Sequence, residues 1–228
     1  MDKSKAIVSW SGGKDSCQAC YKAMLEGYDV AYLVNTVSKE YQRVRFHGIK
    51  DDVIQAQARA IGIPIFQKET SGENYESDFK KGVKSLISCK DIPFMVFGDI
   101  HLQSGLEWVE KVCKELGIKA IEPLWKIPTK EILLNFIDAG FEAYVTSCQA
   151  KLLGKEFVGR KLDKKFLEDA SKLGIDVCGE NGEYHTLVVD GPIFKQRLNI
   201  LETKKVLRDG YWFLDIRKYE LVQKNQSS

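Results

Sequence analysis

The sequence predicts an α/β fold: a parallel sheet clothed by helices, followed by a smaller mixed α+β part. Three observations carry that reading. Short apolar runs alternate with helix-like runs through the first half, glycine and proline punctuate the joins, and the alternation stops near Pro123. A content of 44% hydrophobic and 11% aromatic residues is ample for a packed core.

The elements follow in order. Strand-like runs lie at 5–10, 30–37, 64–68, 94–98 and 119–122, with helix-like runs between them at 15–26, 50–61, 75–89 and 102–116. In the last of these helices Leu102, Leu106, Val109, Val112, Cys113 and Leu116 form one apolar stripe, and Gly117 stops it. Gly62 and Pro64 close the helix ending at Ile61 in the same way. Beyond Pro123 come a helix at 132–137, a strand at 141–148 and a helix at 166–173. A polar, glycine-rich stretch at 177–194 follows, and then an alternating tail turning at Asp209-Gly210, a hairpin dipeptide. The expected domains are 1–124 and 125–228.

Composition narrows the function. The 34 basic and 32 acidic residues leave a net charge of +2, which gives no footprint for general nucleic-acid binding. No apolar run reaches the length of about 20 residues that a membrane span needs. No signal-peptide core precedes the first strand, and the six cysteines are scattered, so a cytoplasmic protein with free thiols is expected. A homodimer is compatible with all of this.

The first chemical motif is Ser11-Gly12-Gly13-Lys14-Asp15-Ser16, set between an apolar run and a helix-like run. Glycines permit backbone angles closed to other residues, so successive N–H groups can converge on one phosphate. The helix start adds unpaired donors and partial positive charge, and Lys14 adds a full one. The spacing is not that of a Walker A loop, which wants Ser or Thr after the lysine. In an open parallel sheet ligands sit at the C-terminal strand ends. Residues 35–38 and Gly98-Asp99 are expected at two further such ends.

The second motif is Cys178-Gly179-Glu180-Asn181-Gly182-Glu183-Tyr184-His185-Thr186. Two carboxylates, an amide and a histidine within six residues suit binding of a cation or transfer of a proton. A solvated turn with a histidine cap explains the same residues.

The hexapeptide resembles the PP-loop of ATP pyrophosphatases, which cleave between the α and β phosphates. With Phe46-His47-Gly48, Gly98-Asp99-Ile100, Pro123-Leu124-Trp125, Gly159-Arg160, Leu162-Asp163, the Gly179 to Thr186 stretch and Asp190-Gly191-Pro192, the series resembles the diphthine–ammonia ligase family. The resemblance runs from Ala6 to about Phe194 and implies an adenine nucleotide α-hydrolase-like domain with a smaller substrate domain. It also implies adenylation of a carboxylate by ATP, then attack by ammonium to leave an amide and AMP. The implied acceptor is diphthine on elongation factor 2.

On this resemblance Ser11, Gly12, Gly13, Lys14, Asp15 and Ser16 hold the phosphates, and Gly98 and Asp99 flank them, with Asp99 supporting Mg²⁺ or the nucleotide. Asn35 and Thr36 meet the adenosine. Glu180, Asn181, Gly182, Glu183, Tyr184 and His185 line the acceptor side, with Glu180 or Glu183 receiving ammonium. Lys14, Asp99, Glu180, Glu183 and His185 are the catalytic candidates. No protein ligand set for a resident metal is implied.

Two alternatives stay open. Cys17 and Cys20 share a helix face, and the helix N-terminus is expected to lower the pKa of Cys17, as a PP-loop tRNA thiolase would require. Small buried side chains packed on the sheet are the simpler explanation of the pair, which has no second Cys-x-x-Cys to complete a four-ligand site. A non-catalytic ATP-binding protein is the other alternative.

Overall fold

The computed structural model describes residues 4–44 and 47–224, with the backbone alone at Cys89 and Lys90. Arg45 and the Phe46 of Phe46-His47-Gly48 lie outside the described residues. By contacts the chain forms two compact units interleaved in sequence. One is Met1–Ser11, Asp15–Arg45 and Ile63–Ile127; the other is Gly12–Lys14, Phe46–Gly62 and Pro128–Ser228.

The first unit is built on β1 (Lys5–Ser9), β2 (Asp29–Ser38), β3 (Arg43–Val44), β4 (Ile65–Thr70), β5 (Phe94–Val96) and β6 (Lys119–Ile121). β1 lies between β2 and β5, β6 pairs with β5 and β4 with β2, all parallel. The short β3 alone runs antiparallel, against the end of β2. Helices α1 (Lys14–Leu25), α3 (Tyr75–Lys90) and α4 (Gln103–Leu116) connect the strands.

The predicted sheet is thus present, with its parallel strands at the predicted places. Its core joins Ile7, Val34 and Met95 of the strands to Phe79 and Val83 of α3 and Val109 and Val112 of α4. These α4 residues belong to the stripe predicted by a 3.6-residue period. Gly117 ends α4 in the left-handed conformation at φ 70°, its N–H returned to Cys113 and Lys114 carbonyls.

The second unit holds α2 (Asp51–Ile61), α5 (Thr129–Asp138), α6 (Lys164–Lys172) and the antiparallel strands β7 (Glu142–Gln149), β8 (Tyr184–Asp190), β9 (Gln196–Arg208) and β10 (Tyr211–Gln223). Their order is β8-β7-β10-β9. Asp163 caps α6, its carboxylate accepting the Phe166 N–H at 2.7 Å. Asp209 and Gly210 both have positive φ, 49° and 78°, as a tight hairpin turn requires. The hairpin runs from Gln196 to Gln223, beyond the alternation expected over 202–221.

Candidate functional site

In the first unit α1 begins directly after the loop that leaves β1, as predicted. The hydroxyls of Ser11 and Ser16 lie 3.2 Å apart across its start. Gly98 follows β5 and approaches the same start so closely that a Cβ there would sit 2.9 Å from the Asp15 carbonyl carbon and 3.0 Å from the Ser16 nitrogen. Only glycine lets these chain segments meet. Beside it, Asp99 presses its carboxylate on α4, where a Cβ at Gly105 would lie 2.6 Å from Oδ1.

Burial and then the neighbouring charge of Asp15 raise the Asp99 pKa. Glu122, just past β6, is pushed up to about 7 by burial, by Asp99 and by Glu110. Its Oε1 is buried, with no hydrogen-bond partner among the described residues. The strand ends therefore gather carboxylates. Among the described residues, however, no three His, Cys, Asp or Glu side chains are grouped to hold a metal ion by themselves.

Asn35 and Thr36 do not lie in a loop. β2 runs on to Ser38, so both are inside the strand, carried there by continued pairing with β4. Asn35 is buried, donating to the Trp10 carbonyl at 2.7 Å and accepting from Gln67 at 3.2 Å. It ties off the end of β1.

The expectation for Cys17 is also corrected. Cys17 and Cys20 are both fully buried. Burial first, then the charges of Cys20 and Asp15, push the Cys17 thiol well up, and burial takes Cys20 to about 12. Desolvation outweighs the helix terminus, because a thiolate stripped of water costs more than a partial dipole charge returns.

In the second unit, residues 12–14 are laced to β8 and to the loop before it. Val188 N–H donates to the Gly12 carbonyl at 3.0 Å, and Lys14 N–H donates to Thr186 Oγ1 at 3.0 Å. The Lys14 ammonium donates to the Cys178 carbonyl and stands 5.3 Å from the Tyr184 ring centre. Lys14 of the first motif thus hydrogen-bonds twice into the second, to residues 172 and 164 positions away in sequence.

The loop between α6 and β8 is closed by two carboxylates. Asp176 accepts the N–H groups of Cys178 and Glu180 at 2.8 and 3.3 Å. Glu183 is only 5% exposed and accepts from the Asp176 N–H, the Asn181 N–H and the Asn181 side chain at 2.9–3.1 Å. Gly179 and Gly182 turn the chain with φ of 73° and 80°. Tyr184 is core: its ring meets Phe166 edge-on at 5.1 Å and its hydroxyl donates to the Val177 carbonyl at 2.6 Å. Asn181 is exposed, and Glu180 and Gly182 half-buried, at the loop surface.

His185 stacks at 4.7 Å on His47, whose Nδ1 lies 3.0 Å from the Thr186 carbonyl. Because a carbonyl only accepts, Nδ1 carries the hydrogen and Nε2 the lone pair. Burial and the Lys14 charge lower the His47 pKa to about 4, partly offset by that hydrogen bond. Burial, His47 and Lys14 lower that of His185 well below its ordinary value. Both imidazoles are neutral at physiological pH.

Residues 4–120 match the family described as diphthamide synthase N-terminal domain, and residues 128–222 match diphthamide synthase C-terminal domain. The chain belongs to the diphthamide synthase family. Among its relatives, the diphthine–ammonia ligase of Mus musculus is 25% identical over 232 residues, covering 90% of this chain and 86% of the relative. That of Homo sapiens is 24% identical over 230 residues, with the same coverage of 90% and 86%. The Schizosaccharomyces pombe protein of that name is 28% identical over 224 residues, 89% of this chain but 37% of the relative. The resemblance of the motifs therefore extends to the family as a whole, and the sulfur-transferase alternative is not favoured.

Four residues of these constellations carried weaker signals. Gln57 is a polar residue four positions from Val53 on an apolar helix face, which marks it as out of place. Asp176 and Glu122 offered no pattern of their own, and Thr186 only closed the second motif with no role assigned; their partners are set by tertiary structure.

Proposed function

We propose that this protein is an ATP-dependent ligase that adenylates a carboxylate and transfers ammonia to it, with diphthine on elongation factor 2 as the acceptor of the ammonia. What supports the reading is membership of the diphthamide synthase family along both halves of the chain, joined to a glycine-lysine segment at the start of α1. The diphthine–ammonia ligases among its relatives carry that reaction in their name. ATP use follows from the family.

The chemistry runs in two steps. The acceptor carboxylate attacks the α-phosphorus of ATP, the bond to the β-phosphate oxygen breaks, and pyrophosphate leaves. Ammonia then attacks the acyl carbon, AMP leaves with the bonding pair, and one proton of the nitrogen must be removed. Adenylation is needed because a free carboxylate has no adequate leaving group.

In this reading Ser11, Gly12, Gly13, Lys14, Asp15 and Ser16 bind the phosphates, the helix start and Lys14 countering their charge. Gly98 leaves room for that start, and Asp99 stands beside it. A magnesium ion arriving with the nucleotide needs only one or two carboxylates besides the phosphates, and Asp15 and Asp99 offer them as hard oxygen donors. Asn35 and Thr36 act on the adenosine side only through the strand end they brace. Glu183 holds the acceptor loop in shape, since its oxygens are engaged by the loop itself. Glu180, on the same loop and half-buried, is assigned to bind ammonium and accept its proton, with neutral His185 as a second base. Buried Cys17 and Cys20, with thiols held protonated, give no support to sulfur transfer.

The test is product analysis with ATP labelled in the α-phosphate. AMP is expected only when ammonium and diphthine-bearing elongation factor 2 are both present. Formation of ADP, or AMP release indifferent to ammonium, contradicts the reading. No helix among the described residues is long and apolar enough to cross a membrane.

A further inference from the structure

Gln57 lies in α2 with no solvent exposure, on a face shared with Val53, Ile54 and Ile61. A buried carboxamide is costly unless hydrogen-bonded, and an aliphatic residue would fill the same space without that cost. Its Nε2 donates to two carbonyls at once, Gly12 at 2.9 Å and Val188 at 2.7 Å. Two residues before Val188, and so on the same side of β8, Thr186 is 2% exposed and accepts the Lys14 N–H. Gly12 is fitted into this cradle at φ 80°, where a Cβ would lie 2.5 Å from Ile54 Cδ1 and 2.7 Å from Gln57 Oε1.

We propose that Gln57 and Thr186 are positioning residues for the nucleotide site, fixing the Gly12 carbonyl and the Lys14 amide so that the glycine-glycine-lysine backbone is set before a phosphate arrives. This rests on the reading of that segment as the ATP loop. The mechanism is preorganisation: a loop already ordered loses less entropy when ligand binds. Neither residue touches the nucleotide. Each acts through the backbone, one on a carbonyl and one on an amide, from different secondary-structure elements. Thr186 separates this role from bulk packing, because valine keeps its shape while lacking the acceptor.

The experiment is calorimetric titration with ATP of the wild type, Thr186→Val, Thr186→Ser and Gln57→Met, with hydrogen exchange of the Lys14 amide measured without nucleotide. Thr186→Val and Gln57→Met are each expected to weaken ATP affinity by about tenfold, the worth of one or two net hydrogen bonds. Thr186→Ser, which keeps the hydroxyl, is expected to stay within about twofold of wild type on the same grounds. Loss of Lys14 amide protection should accompany the valine substitution alone among the Thr186 variants. Folded Thr186→Val protein with wild-type affinity, or serine and valine weakened alike, overturns the proposal. Should Gln57→Met fail to fold, the Thr186 pair decides alone. The predicted affinity pattern in a protein that never forms AMP would uphold these roles while refuting the ligase. Wild type without affinity for ATP refutes both.

Discussion

In the first compact unit the strand ends beside the α1 start bring together Asp15, Asp99 and Glu122. In the second, the segment 12–14 and its surroundings bring together Lys14, His47 and His185. Each cluster is pushed by burial in its own direction. Asp99 and Glu122 there hold protons more firmly than in water, and the two imidazoles hold them less firmly. The difference teaches that adjacent residues of one hexapeptide, Lys14 and Asp15, serve opposite electrostatic environments. A triphosphate suits the cationic cluster directly, and the acidic one only with a metal ion between them.

Lys14→Ala should produce the largest effect, because it removes the one permanent charge of the cationic cluster. ATP affinity is expected to fall by about 1.5–3 kcal/mol, as for loss of a charge-assisted hydrogen bond. Calorimetry showing unchanged affinity would dissolve the contrast between the clusters as far as nucleotide is concerned.

Next comes Glu183→Gln. Its carboxylate accepts three N–H groups, and a carboxamide replaces one of its two acceptor oxygens with a donor. A stability loss of about 1–3 kcal/mol is expected in urea unfolding. ATP affinity should hold while amide formation stops. Full turnover in the variant would remove the loop carboxylate from the account.

The smallest effects are in the pH dependence, where the clusters oppose each other. Glu122, raised from 4.5 to about 7, keeps a proton in the folded state that the unfolded chain has lost, so its contribution to stability falls as pH rises across that window. His47, lowered from 6.5 to about 4, refuses a proton that the unfolded chain accepts, so its contribution rises with pH across its own window. Glu122→Gln should therefore gain on wild type above pH 7 in urea midpoints, and His47→Gln should gain below pH 5. Gains by both variants at the same end of the pH range would erase the distinction.

Much of the fold could be read in the chain because it rests on local periodicity. The α4 stripe, the Gly117 stop and the Asp209-Gly210 turn are decided by neighbours a few residues away. The loop before α1 was legible for the same reason. What lay hidden was decided at long range. That the Lys14 N–H meets Thr186, or Gln57 the Gly12 carbonyl, has no local cause. Residue type alone made Glu183 and Tyr184 look equally available to a ligand; the structure shows the first engaged by its own loop and the second packed on Phe166. The burial of Cys17 and Cys20 was expected, but the lowered pKa of Cys17 was not borne out, because the desolvation that burial brings outweighs the helix terminus.

The central claim is that the backbone and ammonium at positions 11–16 grip the phosphates of ATP. A crystal structure with an ATP analogue whose α,β-bridging oxygen is replaced by methylene tests it directly. The account predicts phosphate density against the N–H groups of this segment, with the Lys14 ammonium turned from the Cys178 carbonyl toward it. Density for the triphosphate at any other place on the chain, with Lys14 still on that carbonyl, would contradict it.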